Sequence, residues 1–274
     1  MSNSQKKINL LGLPQDDNSS YLSGPVYAPG RIREAIHCSS ANMFTETGYD
    51  LNDPNLWLDA GDLELGKLHS DTAYSAIFDR VQNIITTGDL VLSLGGDHSV
   101  AFPAIVAHLD QYPDLSILHF DAHPDLYENM LDNQFSHASP FARLMETGKV
   151  NRLVQVGIRT LNKHQREQAA RYNVEIHEMR DLSEVANIEF DGPVYLSFDL
   201  DALDPAFAPG VSHYEPGGLS TREALNIIHN FKGKLVGADV VELNPLRDPA
   251  DITAMVAAKI AKEIMGRMLM DNAD

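Results

Sequence analysis

The sequence has 274 residues, 43% of them hydrophobic, with 39 acidic against 21 basic side chains and a formal charge of -18. That length and apolar content suffice for a sizeable core, and no linker-like stretch divides the chain, so residues 1–274 are expected to form a single domain. The negative field argues against nucleic acid and membrane surfaces and suits a cationic substrate or metal ions, although a soluble acidic surface has the same composition.

Cys38 is the single cysteine, which excludes an intrachain disulfide and multi-cysteine zinc sites. The opening MSNSQKKINLLGLP has a basic pair but too short an apolar run for a secretory leader, and no stretch reaches the length of a membrane span. A cytoplasmic location is expected.

Taken in chain order, the pattern predicts a strand at 8–13, helices at 28–37 and 72–86, and a strand at 90–94. A helix at 99–108, a strand at 115–120, a helix at 140–146 and a strand at 153–158 follow. The remainder reads as a helix at 163–172, strands at 174–177 and 194–199, a helix at 221–230, a strand at 235–241 and a helix at 251–268. Several strands are apolar at nearly every position, as parallel strands covered on both faces are. Ser220 and Glu223 have capping-box spacing before an apolar run. The last helix carries lysines at helical spacing and reads as amphipathic. Strand–helix alternation of this kind fits a doubly wound sheet or a TIM barrel.

An open sheet binds ligands beyond the carboxyl ends of its strands, and there the sequence is informative. Gly95-Gly96-Asp97-His98 follows one strand, and Asp121-Ala122-His123-Pro124-Asp125 follows another. Asp199-Leu200-Asp201 closes a third, and Glu242 closes a fourth. Asp121, His123 and Asp125 alternate by two, so their side chains leave on one side of the strand end; Asp199 and Asp201 repeat the spacing. Any one of these aspartates fits a turn or a helix cap. Four carboxylates gathered at neighbouring strand ends need compensation, and bound cations supply it. The expected ligands are His98, Asp121, His123, Asp125, Asp199 and Asp201. Sulfur-free, carboxylate-rich ligation suits Mn²⁺ or a similar divalent ion, two per chain.

GGDHS at 95–99, DAHPD at 121–125 and SFDLDALDPAFAPG at 197–210 resemble the signature segments of the ureohydrolases, the family of arginases and agmatinases. The likeness spans nearly the entire chain. SHASPFARLME, QVGIRTLN and GADVVELNP resemble the plant-type arginases most. The resemblance implies a three-layer α/β/α fold around a mostly parallel eight-stranded sheet, a binuclear manganese centre, and a homo-oligomer, trimer or hexamer. It gives His98, Asp121, Asp125 and Asp199 to one ion, and Asp121, His123, Asp199 and Asp201 to the other, with Asp121 and Asp199 bridging.

The activity so implied is hydrolysis of a guanidino group to urea and an amine. Guanidinium is a poor electrophile, and a pair of divalent ions makes a nucleophile of water near neutral pH. Asp125 is placed to hydrogen-bond the resulting hydroxide and later pass its proton to the leaving amine, unless it serves as a ligand alone. Glu242 matches the family residue that pairs with guanidinium through two parallel hydrogen bonds. His137, in the SHAS segment, matches a loop histidine that shuttles protons. Asp97 and Asp204 neighbour the ligands and read as supports for them. Tyr127, Asn133 and Asn162 are candidate substrate contacts, although asparagine in loops is ordinarily turn chemistry. The likeness to plant-type arginases points to L-arginine, ahead of agmatine, guanidinobutyrate and guanidine. A non-catalytic metal-binding regulatory module would be marked by a lost ligand, and none is lost.

Overall fold

The computed structural model describes residues 6–66, 68, 70–182 and 188–273; residues 1–5 of the leader reading lie outside them. Eight strands form one sheet: β1 (Ile8–Leu13), β2 (Trp57–Asp62), β3 (Leu90–Gly95), β4 (Ser116–Phe120), β5 (Arg152–Ile158), β6 (Glu175–Glu178), β7 (Glu189–Asp199) and β8 (Lys232–Val241). Their order is β2-β1-β3-β8-β7-β4-β5-β6, and every paired neighbour runs parallel. The sheet is open, with β2 and β6 at its edges, which excludes the barrel. Among the described residues, seven α-helices cover it: α1 (Ala28–Ile36), α2 (Ser70–Ile85), α3 (Ala101–Gln111), α4 (Pro140–Glu146), α5 (Lys163–Tyr172), α6 (Thr221–Asn230) and α7 (Ile252–Asp271).

The three layers follow from strands that are apolar on both faces. In β1, Ile8 and Leu10 point into a core shared with Ile32 of α1, Ile228 of α6 and Ile264 of α7. Leu11 and Leu13 point the other way, onto Ile77 and Val81 of α2. Ile117 and Tyr195 pack with Ile105 of α3 and Phe141 of α4. Each such side chain contributes about 1.5–3 kcal/mol by leaving water. The expected three-layer α/β/α architecture is borne out.

Two expectations need correction. β2 was not anticipated, because this edge strand (WLDAGD) is largely exposed and has neither a continuous apolar run nor a clean alternation. α7 is not half-solvated: its Lys262, Glu263 and Arg267 are buried. Lys262 Nζ donates to Asn42 O at 2.7 Å, the Glu263 carboxylate accepts from Glu46 N at 3.0 and 3.1 Å, and Arg267 donates to His229 O and Gly233 O. Lysine spacing therefore marked internal partners rather than a wet face. The Ser220–Glu223 capping box is present as expected. No described helix is long and apolar enough to cross a membrane.

The topology explains the convergence of strand ends. The chain builds β1, β2 and β3 on one side, crosses to β4 and β5, and later fills the gap with β7 and β8. The four central strands are therefore β3, β8, β7 and β4, side by side. The segments holding His98, Glu242, Asp199 and Asp121 leave these four in that order, at the topological switch where ligands bind.

Candidate metal centre

Each segment is shaped by local bonds before any chemistry is considered. Beyond β3, a Cβ on Gly96 would fall 1.8 Å from Gln15 O, so only glycine lets the β1 loop pass. The glycine is needed for that backbone crossing, not for approach to the site. Asp97 then caps a single 3₁₀ turn through Ser99 N and also accepts from Asn18 N, both at 3.0 Å. Beyond β4, Asp121 Oδ1 accepts from His123 N at 2.6 Å. Beyond β7, Asp199 Oδ1 accepts from Asp201 N at 2.8 Å, and Asp201 Oδ1 accepts from Ala122 N at 3.1 Å. Asp121 and Asp199 each form a turn through Oδ1; Asp199 keeps Oδ2 for the site, and Asp121 turns both oxygens toward it. The turn-former reading holds for Oδ1 of both residues. Asp125 and Glu242 both have positive φ, 50° and 65°, a conformation that costs non-glycine residues on the order of 1 kcal/mol.

The two imidazoles face two carboxylate sets. His98 Nδ1 lies 3.2 Å from each of Asp121 Oδ2, Asp125 Oδ2 and Asp199 Oδ2, all buried. None of these contacts has hydrogen-bond geometry, so Nδ1 is a buried polar atom without a hydrogen-bond partner. His123 Nδ1 lies 3.1 Å from Asp201 Oδ2 and 3.3 Å from Asp121 Oδ1. Asp121 thus presents one oxygen to each imidazole. Asp199 presents Oδ2 to His98, and its Oδ1 holds the Asp201 turn. A nitrogen ringed by three anionic oxygens without a hydrogen bond is what a divalent cation with mixed nitrogen and oxygen ligands requires.

The electrostatics agree. Burial, then Asp201 and Asp121, push Asp199 well above the usual carboxyl range. Burial and Asp121 push Asp125 up to about 7. Burial also raises Asp201. Asp121 is held well below the usual range, against burial, by His119, His123 and His98. Burial disfavours charge on His98 and His123, yet the surrounding carboxylates raise both well above an ordinary histidine. The cluster calls for positive charge at its centre. Protons or a cation could supply it, and the absence of hydrogen-bond geometry at His98 Nδ1 favours the cation.

A polar row across the sheet supports this cluster and was missed from sequence. Ser93, Asp239, Ser197, His119 and Gln155 are register partners across β3, β8, β7, β4 and β5, and all are fully buried. His119 and Ser197 sit two residues before Asp121 and Asp199, so they face the same side. Gln155 Nε2 donates to Pro124 O at 2.7 Å, which fixes the amide and makes its 3.0 Å contact to His119 Nδ1 a donated bond. His119 Nε2–H is then left to donate to Asp121 Oδ2 at 2.9 Å. Although His119 lies close enough to group with His98 and Asp121 around an ion, both its nitrogens are committed, and it orients a carboxylate instead. The available signal was a polar residue interrupting an apolar strand two positions before a ligand candidate.

A cavity of about 180 Å³ opens on the cluster, lined by His123, Asp125, Asp199, Asp201, His137 and Glu242. Ser20, Tyr127, Met130, Ala138, Thr160, Gln165 and His213 complete its wall. Glu242 N donates to Gly96 O, while Glu242 Oε1 accepts from His98 N at 2.9 Å and from His137 Nδ1 at 2.8 Å. Burial opposes charge on Glu242, but His137 holds its carboxyl below the usual range. With Oε1 taking two donors, the expected two-oxygen grip on guanidinium is reduced to Oε2 in this arrangement.

The remaining predicted residues are placed differently from one another. Tyr127 lines the cavity. Asn133 and Asn162 do not: Asn133 donates to Asn18 Oδ1 and accepts from Phe135 N, while Asn162 caps α5 through Gln165 N and donates to the Tyr127 hydroxyl. Their amides serve the turns, as loop asparagines ordinarily do. Asp97 supports the His98 turn, as expected. Asp204 does not support a ligand side chain; it folds its own loop through Ala206 N, Gly217 N and Gly218 N. Ser20, Gln165 and His213 were missed because nothing in their local sequence marks them; they reach the wall through loop packing.

Comparison with known proteins agrees with this geometry. The Arginase family profile matches residues 6–266. "Arginase 1, mitochondrial" of Arabidopsis thaliana is 46% identical over 283 residues, covering 98% of this chain and 83% of its own length. Agmatinase of Bacillus subtilis (strain 168) is 34% identical over 263 residues, covering 93% of this chain and 90% of its own. The solved structure of arginase from Medicago truncatula superposes with a TM-score of 0.93 at 45% identity, covering 97% of this chain and 89% of that one. The expected cytoplasmic location is corrected by these relatives: plant arginases matching nearly the entire chain are named mitochondrial, or chloroplastic/mitochondrial.

Proposed function

The chain belongs to the arginase family, and on that premise we propose that it hydrolyses L-arginine to L-ornithine and urea at a binuclear manganese centre. The observation that carries this reading is His98 Nδ1, buried and without a hydrogen-bond partner amid three carboxylate oxygens at 3.2 Å. We assign His98, Asp121, Asp125 and Asp199 to one ion and Asp121, His123, Asp199 and Asp201 to the other. Asp121 suits the bridging role because it has an oxygen in each set. Asp199 would serve both ions as the second shared carboxylate, with Oδ2 beside His98. When bound, the pair of ions lowers the pKa of water enough to make a nucleophile near neutral pH.

The protein groups act around that centre. Glu242 Oε2, with no protein partner among the described residues, accepts from the guanidinium and holds its carbon over the cluster. Asp125 Oδ takes the proton from the attacking water and delivers it to the departing amine. His137 exchanges protons between the cavity and its mouth. Residues 1–274 act as a single ureohydrolase domain, assembled as a homo-oligomer, trimer or hexamer, which light scattering tests.

Agmatine is the second reading, and one observation favours it. Asn133 and Asn162 are committed elsewhere and do not line the cavity, so neither is available to an amino-acid head group. The test is product formation by manganese-loaded protein. L-Arginine should give urea and ornithine in equal amounts. No urea from L-arginine, agmatine, guanidinobutyrate or guanidine would overturn the hydrolase reading.

A further inference from the structure

His137 is held from both sides of its ring. Nδ1 lies 2.8 Å from Glu242 Oε1. Nε2 lies 3.2 Å from the backbone nitrogen of Ser20 and 2.9 Å from its hydroxyl oxygen. The backbone of the same loop grips the histidine again, since His137 N donates to Asn18 O at 3.1 Å. Ser20 is exposed at the cavity mouth, while His137 is buried.

A backbone amide can only donate. Its hydrogen points at Nε2, which must therefore offer a lone pair, and a neutral imidazole then carries its proton on Nδ1. That proton is the one Glu242 accepts. We infer that Ser20 is a positioning residue: its amide and hydroxyl hold His137 as the neutral Nδ1–H tautomer, ring aimed at Glu242. The inference rests on the proposed role of His137 in the reaction.

Glu242 pulls the opposite way: against burial, its carboxylate pushes the His137 ring up to about 9. That pull favours the doubly protonated ring. A second proton, on Nε2, would meet the Ser20 N–H head to head, and the serine hydroxyl alone would have to accept it. The amide contact decides for the neutral ring. The consequence for Glu242 is direct. Oε1 stays occupied by His98 N–H and His137 Nδ1–H, and Oε2 stays available to substrate.

Nitrogen-15 spectra of histidine-labelled protein test this, with the His137 signal assigned by its loss in His137→Asn. The wild type should show a protonated Nδ1 and a bare Nε2. Ser20→Ala, which keeps the amide that sets the tautomer and loses the hydroxyl, should keep the protonated Nδ1 and lower kcat for L-arginine about 3- to 10-fold, the range of one neutral hydrogen bond. Ser20→Thr should restore the rate. A protonated Nε2 in the wild type, or a Ser20→Ala protein with the wild-type kcat, would overturn the inference. The spectra need no turnover, so failure of the hydrolase reading and failure of the tautomer assignment are told apart.

Discussion

Ser197 Oγ lies 2.9 Å from His98 Nε2 and 2.7 Å from Asp239 Oδ1. A serine hydroxyl has one hydrogen, and the buried Asp239 carboxylate takes it, as it takes that of Tyr195 at 2.9 Å. Ser197 can then only accept from His98, so Nε2 is protonated, and in the neutral ring Nδ1 turns a lone pair toward three carboxylates. Lone pair against anions is repulsive unless a cation lies among them. Ser197→Ala frees the ring to turn or change tautomer. It should weaken manganese binding about 10–100-fold, the usual effect of losing a ligand's outer partner. Titration of the metal-stripped variant with Mn²⁺ checks this; wild-type affinity would remove Ser197 from the account.

Removing the shared carboxylate should be more severe than removing a terminal one. Asp121 has an oxygen in each ligand set, whereas Asp201 faces only His123. Asp121→Ala is expected to bind close to no manganese, and Asp201→Ala to retain the ion on the His98 side. Metal analysis after desalting distinguishes them. Full occupancy in Asp121→Ala contradicts the bridging role.

Glu242 stands apart from the ligands and should separate binding of metal from turnover. Glu242→Gln keeps the shape and loses the charge that faces guanidinium. We expect unchanged manganese content and kcat/KM lower by about 10–100-fold, as for a lost hydrogen bond between charged groups. Retained activity would take Glu242 out of the substrate site.

Chelation should destabilise the fold. A ligand bound at one hundred times its Kd contributes about 2.7 kcal/mol, and without cations the buried carboxylates repel one another. Thermal unfolding should shift down with chelator and recover with Mn²⁺. Asp199→Asn, with one fewer anion in the cluster, should narrow the gap between the two conditions. An identical midpoint with and without chelator would show that the cluster does not depend on a cation.

The sequence carried the frame of this molecule because parallel strands buried on two faces announce themselves, and the acids that end them break that pattern sharply. Asp121, His123 and Asp125 were legible from their spacing alone. β2 was not, since an exposed edge strand has no apolar signature. α7 misled, because its charged residues find partners inside the protein. Asn133 and Asn162 misled for a related reason: an amide beside a site and an amide capping a turn look alike until their bonds are seen. His119, Ser197 and Asp239 could have been suspected as polar breaks in apolar strands, but their alignment into one row depends on a strand order that places β8 and β7 between β3 and β4. Ser20 reaches His137 across 117 positions of sequence, a contact that no local pattern encodes.

The most direct measurement is a competition between L-arginine and agmatine, equal in concentration, on manganese-loaded protein, with ornithine and putrescine read separately from the same reaction. The account predicts urea matched by ornithine, with putrescine a minor product, and urea released about 10–100-fold more slowly by the Glu242→Gln protein at full metal loading. Putrescine in excess of ornithine would contradict the assignment of L-arginine as substrate, and absence of both amines would contradict the hydrolase itself.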